Sequence, residues 1–395
     1  MYFTGLTERV GGKGSDAWEV HYAAIERQRQ GADIVILSIG QEMIESTPDV
    51  IVEACYSSLK RGRHHYSEIG GEPDLREAIA KRFSDESGLT VSAANCAVLA
   101  GAQNALFAAS LCTLQHGDEA IIMEPYYATY PATFSVGGAD VTSINTRAED
   151  DFMPRIDEVE KSISKRTRVI VVNSPHNPSG VVYDQDFMQA MVDICRSRNI
   201  WLISDEVYSC LLPPGSHHSP ATLPDAFDCC ITVSSLSKSH RMTGWRLGWI
   251  IASEPVIEKV FNLSTCMSYG LPMFIQDASV TALEHTDRIA NAVRDEIDRK
   301  RNMVISRLGQ IDGINIRGSR YGMFVIFEVR DLGISGIDFA WRLLDEYQVA
   351  ALPCDAFGAS AEGLIRINIG ESESNLLTAC ERIRTLAQSL NSGSR

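Results

Sequence analysis

From about residue 98 to residue 255, short apolar runs alternate with amphipathic stretches, and this alternation most narrows the folds open to the chain. The runs Ala120–Met123, Val169–Asn173, Ile200–Ser204, Cys230–Ser234 and Leu247–Ala252 have the length and composition of strands. Between them lie Gln103–Gln115, Asp184–Arg198 and Glu254–Cys266, with apolar residues at helical spacing. Strands alternating with helices predict a mostly parallel sheet with helices on both faces. The unbroken Val169-Ile170-Val171-Val172 suits a strand buried on both sides.

The C-terminal part reads differently. Gly322–Val329 and Leu364–Ile369 look like strands, Ile337–Tyr347 and Ser374–Leu390 like helices, and Thr281–Leu308 like one long connecting helix. The expectation is a large α/β domain over residues 46–300 and a smaller α+β domain of residues 301–395 completed by residues 1–45. No internal repeat or low-complexity tract is evident, and Asn391–Arg395 reads as a frayed polar tail.

Charge and cysteine use exclude several functions. Among 395 residues, 36 Lys+Arg stand against 51 Asp+Glu, a net charge of −15. That balance opposes binding to a nucleic-acid backbone or to an anionic membrane surface. No apolar run approaches the roughly 20 residues of a membrane span, and Met1–Val10 lacks the pattern of a secretory signal. The ten cysteines are scattered without a C-x-x-C, and contexts such as Ala54-Cys55, Leu111-Cys112 and Ile194-Cys195 read as buried, reduced thiols of a cytoplasmic protein. His64 and His65 have no carboxylate at metal-ligand spacing, so no metal is assigned.

In such a sheet ligands bind where the carboxyl ends of the strands meet their loops. Asn173-Ser-Pro-His-Asn-Pro-Ser-Gly180 follows one strand, Asp205-Glu-Val-Tyr208 the next, and Ser234-Ser-Leu-Ser-Lys238 a third, with Arg246 eight residues beyond. A lysine after a strand is ordinarily a surface residue, but Lys238 sits among small hydroxylic neighbours. In a desolvated, cation-rich pocket it becomes a nucleophile toward a carbonyl, which suits a Schiff base with an aldehyde cofactor. Asp205 is either a helix cap or a buried charge, and a buried carboxylate keeps the pyridinium nitrogen of pyridoxal phosphate protonated. Tyr208 and Asn177 are turn residues or hydrogen-bond donors to a phenolic oxygen. Gly101-Ala102-Gln103 opens a helix and offers backbone N–H groups to an anion. Ser235, Ser237 and Arg246 could complete a phosphate cup.

Taken in order, these strings resemble the class I/II aminotransferases of fold type I, enzymes of pyridoxal 5′-phosphate. The resemblance runs from about Leu37 to Leu390. It rests also on His65-Tyr66 with Gly70 and Leu75-Arg76, on Glu124-Pro-Tyr-Tyr127 and on Ile365-Arg-Ile367. It implies a mostly parallel seven-stranded sheet flanked by helices, plus a smaller α+β domain. Lys238 would carry the cofactor and shuttle the proton at the substrate Cα, Asp205 would pair with the ring nitrogen, Tyr208 and Asn177 would bond the ring oxygen, and Tyr127 would stack on the ring. Gly101, Ala102, Gln103, Ser235, Ser237 and Arg246 would hold the phosphate. Arg366, with Asn177 and the backbone at Gly40, would bind the substrate α-carboxylate. Tyr66 would reach the phosphate of a neighbouring subunit, which implies a homodimer.

Within that family the chain is most similar to arginine–pyruvate aminotransferases, through Leu99–Gln103, Ser235–His240 and the stretch from Tyr269-Gly270 to Phe274–Asp277. That likeness implies an amino acid, basic or polar, as donor and a small 2-oxo acid as acceptor. After Gly40 the family usually has an acidic residue and then Pro-Asp-Phe, whereas this chain has Gln41-Glu-Met-Ile-Glu-Ser46. Glu42 or Glu45 is expected either to face a cationic substrate group or to lie in solvent. Trp18 and His21 either cover the site or pack elsewhere. The same lysine, aspartate and arginine also serve β-elimination, racemisation, decarboxylation and oxidative reactions. Outside this chemistry, Ser235-Leu-Ser-Lys238 formally matches the S-x-x-K of serine acyl-transfer enzymes, without their S-D-N and K-T-G segments. Gly12-Lys-Gly14 is a weak dinucleotide-binding pattern with no strand before it.

Overall fold

The computed structural model describes residues 2–3, 5–10 and 18–393; Gly12-Lys-Gly14 lies outside them. A short strand β1 (Val35–Ile36) precedes the main sheet. That sheet is built of β2 (Cys96–Leu99), β3 (Glu119–Glu124), β4 (Asp140–Asn145), β5 (Thr167–Asn173), β6 (Trp201–Asp205), β7 (Cys230–Ser235) and β8 (Gly248–Ile251). Its seven strands run in the order β2-β8-β7-β6-β5-β3-β4. The five from β7 to β4 are mutually parallel, while β8 runs antiparallel to both β7 and β2. The expected mostly parallel α/β sheet is therefore present.

Burial of both faces follows the two-residue period of a strand. Val169 and Val171 pack on one side with Ile203, Val233 and the helix bearing Leu106 and Ala109. Ile170 and Val172 pack on the other with Ile121, Leu202 and the helix bearing Met188 and Met191. That second helix, Gln185–Arg198, starts where the Asp184 carboxylate accepts the Phe187 N–H and stops at Asn199 in the left-handed region.

The remaining strands, β9 (Asn315–Arg317), β10 (Phe324–Glu328), β11 (Val349–Ala350), β12 (Leu352–Pro353) and β13 (Leu364–Asn368), follow the long helix Thr286–Leu308. They form an antiparallel sheet β12-β13-β10-β9, while β11 pairs with β1. Leu37, Val325, Phe327, Phe339 and Ile383 share one core there, so residues near the N-terminus pack with the C-terminal strands. The long helix sends Ile289 into the core around β2 and β8 and Val293, Ile297 and Val304 into this second core.

Three expectations are corrected. Thr281–Leu308 is not one helix: Met273–Glu284 ends and Thr286–Leu308 begins at His285. The His285 ring bonds the Thr281 carbonyl at 2.9 Å, leaving the His285 N–H to pair with Ala282, so the regular ladder breaks. Asn391 is not in a frayed tail: the last helix, Glu373–Gly393, includes it, and its amide holds the Asp312 carbonyl at 3.0 Å. Cys55 and Cys112 are only partly buried, because the buried faces of their helices run through Ile51 and Ser58 and through Ala105 and Ala109. Cys195 is buried as expected, and all ten cysteines are free thiols. Among the described residues no helix is long and apolar enough to cross a membrane, and no group of His, Cys, Asp and Glu is arranged to hold a metal ion.

Candidate active site

The strand registers set the site. Asn173 at the end of β5 is level with Asp205 at the end of β6, Asp205 with Val233 of β7, and Ser235 with Gly248 of β8. The loops leaving these ends line a cavity of about 270 Å³ that also receives residues from the smaller sheet.

Lys238 stands in the turn after β7, and its Nζ donates to the Gly40 carbonyl at 2.5 Å. Burial, with the charges of Arg366 and Arg246 nearby, pulls its pKa down to about 8. A substantial fraction of the amine is therefore neutral near physiological pH, the form a nucleophile or base requires. Ser235 Oγ instead accepts the Ser237 N–H at 3.3 Å, so Lys238 is not placed as the base of a nucleophilic serine.

The Asp205 carboxylate is buried, and burial pushes its pKa up to about 6. Its Oδ2 accepts the Tyr130 hydroxyl at 2.6 Å and its Oδ1 accepts the Val207 N–H at 3.2 Å. Tyr208 is buried too, with its ring edge-on to Phe324, and burial raises its phenol. Tyr127 lines the wall edge-on to Tyr130 at 5.6 Å between centroids.

Arg366 comes from β13 and is only 2% exposed. Phe324 lies 4.2 Å and Phe357 5.2 Å from its guanidinium carbon. Its Nη1 donates to Asn177 Oδ1 at 3.0 Å and its Nη2 to the Ser38 carbonyl at 3.0 Å, while Nε has no partner. These acceptors are neutral, so the buried cation lacks a counter-charge and is built to take an anion. Asn177 is itself fixed, its N–H donating to Asn173 Oδ1 at 2.7 Å. A Cβ on Gly40 would come 2.5 Å from Phe324 Cζ, so a larger residue would push the ring that lies against Arg366.

A second anion receptor lies at the opening turn of the helix Ala102–Thr113. Gly101 holds φ +85°, and a Cβ on it would meet Arg246 Nη2 at 2.4 Å. A Cβ on Gly248 would meet the Ala102 N–H nitrogen at 2.5 Å. The cradle is thus open backbone, with the positive end of a helix beside Arg246, Ser235 and Ser237. Arg246 is steadied by the Thr243 carbonyl at 2.8 Å. The Gln103 side chain is tied to Thr129 and Thr133, each at 2.8 Å, which leaves its backbone to face the cavity.

Gly40, Ala102, Gln103, Tyr127, Asn177, Asp205, Tyr208, Ser235, Ser237, Lys238, Arg246 and Arg366 thus line one cavity. Gly101 stands directly behind it. Tyr66 does not reach it: it is 83% exposed, with its ring against Tyr269. Trp18 lines the cavity, and His21 stands one layer back with Nδ1 on Ser38 Oγ at 2.8 Å. Glu42 turns away: its side chain is 3% exposed and lies 3.9 Å from Lys300, which pairs with Glu296 at 2.6 Å. Glu45 is exposed and does not line the cavity. Sequence reasoning missed Tyr130, Ser38, Phe324 and Phe357. No local signal marked Tyr130, which opens the helix Tyr130–Ser135 three residues after Tyr127.

Residues 32–383 match the family described as aminotransferase class I and II. The chain belongs to that family. This aminotransferase is 43% identical over 99% of both chains to the arginine–pyruvate transaminase AruH of Pseudomonas aeruginosa. It superposes on the aspartate aminotransferase of Thermus thermophilus solved with maleate at a TM-score of 0.92, with 30% identity over 98% of this chain and 100% of that one. The Thermotoga maritima aspartate aminotransferase gives 0.91 and 30%, over 97% and 99%. The fold is fold type I, the reaction is amino transfer from an amino acid to a 2-oxo acid, and the family works with pyridoxal phosphate. The serine acyl-transfer alternative drops away.

Proposed function

We propose that this aminotransferase takes a basic L-amino acid, arginine foremost, as donor and pyruvate as acceptor, with pyridoxal 5′-phosphate held at Lys238. The likeness over 99% of both chains to a transaminase named for that pair carries the choice of substrates. The donor set suits the cofactor: a partly neutral buried amine, a buried carboxylate and a glycine-opened cradle at a helix start converge on one cavity. Ala102, Gln103, Ser235, Ser237 and Arg246 would hold its phosphate, Tyr127 its ring face, Tyr208 and Asn177 its ring oxygen and Asp205 its ring nitrogen, with Gly101 keeping the cradle open. When bound, pyridoxal phosphate supplies an aldehyde that captures amines and a cationic ring that draws electron density from the substrate Cα–H bond.

The protein's share is binding, orientation and proton transfer. Arg366 takes the α-carboxylate through its unpartnered Nε and the nitrogens it now lends to Asn177 and Ser38. Held there, the Cα–H bond has one orientation relative to Lys238, a positional gain worth several kcal/mol. Lys238, whose amine is biased toward the neutral form by burial and by Arg366 and Arg246, takes the proton from Cα as a general base. Asp205 keeps a proton on the facing nitrogen, and Tyr130 keeps Asp205 in place.

The reading includes a homodimer in which Tyr66 serves the partner's site. Supporting it, Val52, Tyr56 and Leu59 leave an exposed apolar stripe along the helix Asp49–Lys60. It includes a reducing, cytoplasmic setting, supported by ten unpaired thiols. It takes residues 46–300 as the large domain and residues 1–45 with 301–395 as the small one. A net charge of −15 outside a cationic cavity also favours the approach of a basic donor.

The test is a donor panel with pyruvate, scored for alanine and for ammonia. Arginine is expected to give the highest kcat/KM, with alanine formed in step with the 2-oxo acid of arginine. Ammonia without alanine, or a preference for aspartate, contradicts the proposal.

A further inference from the structure

Trp18 caps the helix Glu19–Arg29 at its N-terminus and lines the cavity together with Arg366. Its ring meets His21 edge-on at 5.7 Å, His21 bonds Ser38 Oγ, and the Ser38 carbonyl receives Arg366 Nη2. The indole packs against the core that holds Leu352 and Phe357, the same Phe357 that lies against the Arg366 guanidinium. The ring is thus linked through His21 and Ser38 to the carboxylate receptor while remaining partly exposed, with Trp18 lining the cavity.

A basic donor meets an electrostatic problem here. The cavity walls carry three cations, Lys238, Arg246 and Arg366, and among the described lining residues Asp205 alone is a carboxylate. Asp205 already accepts Tyr130 and Val207. Glu42 is turned to Lys300, and Glu45 lies outside. Among the described residues, the cavity wall thus offers the cationic end of the donor no free carboxylate. Aromatic faces also receive cations, the indole best of all, and a guanidinium is flat and weakly hydrated enough to stack on one. Phe324 is taken by Arg366 at 4.2 Å, and Tyr127 and Tyr208 are assigned to the cofactor.

We propose that Trp18 is a specificity-determining residue, its indole face receiving the cationic end of a donor whose α-carboxylate lies on Arg366. This rests on the basic-donor reading. The discriminating pair is arginine and citrulline, alike in length, with a charged guanidinium in one and a neutral ureido group in the other.

The experiment compares the wild-type holoenzyme with Trp18→Leu and Trp18→Phe, with kcat and KM for both donors and cofactor absorbance as a check on loading. Trp18→Leu is expected to raise KM for arginine about tenfold and leave kcat within about twofold. Citrulline is expected to stay within about twofold throughout, and Trp18→Phe to fall between. Equal losses for both donors, or no change for arginine, overturn the inference alone. A wild-type enzyme without preference for arginine overturns the donor reading, and the role of Trp18 with it.

Discussion

Lys238→Ala is expected to lower turnover by at least about four orders of magnitude, because one side chain does two jobs that no neighbour can take over. In the proposed reading it would capture the cofactor and move the proton at Cα. Arg366 and Arg246, the other cations of the cavity, are guanidinium groups and can do neither. The fold should tolerate the change. The amine is partly desolvated and its pKa is depressed to about 8, so the buried charge is a cost to the native state without cofactor. Thermal unfolding of the cofactor-free variant is thus expected to match or exceed the wild type, which separates lost chemistry from lost structure. Turnover within tenfold of wild type contradicts the assignment.

Asp205→Asn is the second large effect, and it has opposite signs for activity and stability. An amide cannot place negative charge opposite a ring nitrogen, so turnover is expected to fall about a thousandfold. In the cofactor-free protein the carboxyl is raised to about 6, against about 3.9 in an unfolded chain. Between those values the folded state holds the extra proton, so stability falls as pH rises, and above about pH 6 the full cost of about 3 kcal/mol is present. Asparagine carries no such cost: its Oδ1 can still accept the Val207 N–H, while its Nδ2 donates to the Tyr130 hydroxyl oxygen. Cofactor-free Asp205→Asn should therefore melt above the wild type at pH 8, with the gap narrowing at pH 5. A variant that melts lower at both, or a gap that widens at pH 5, contradicts a carboxylate held against burial.

What the sequence made legible follows from burial. Strands β5, β6 and β7 read clearly because strands covered on both faces are continuous apolar runs, and their carboxyl ends pointed straight to Asn177, Asp205 and Lys238. Strand β4, Asp-Val-Thr-Ser-Ile-Asn, was missed because it lies at the sheet edge with most of its residues partly or fully exposed, so its pattern is that of a loop. Arg366 came from resemblance, since an arginine within Leu364-Ile-Arg-Ile-Asn has no local reason to be buried; its partners Ser38, Asn177 and Phe324 come from three distant segments. Tyr130 escaped for the same reason, its hydroxyl reaching a residue 75 positions away. Glu42 shows the limit most plainly. Its position after Gly40 suggested a substrate contact, but which way a loop side chain turns depends on Lys300, far off in sequence.

The central claim is that Lys238 holds the cofactor, and borohydride reduction of the holoenzyme followed by peptide mass spectrometry tests it most directly. Reduction is expected to fix one pyridoxyl phosphate per chain on the peptide containing Lys238, and prior addition of the amino donor should prevent it. A label on Lys300 or any other lysine, or a protein that takes up no pyridoxal phosphate, would contradict the account.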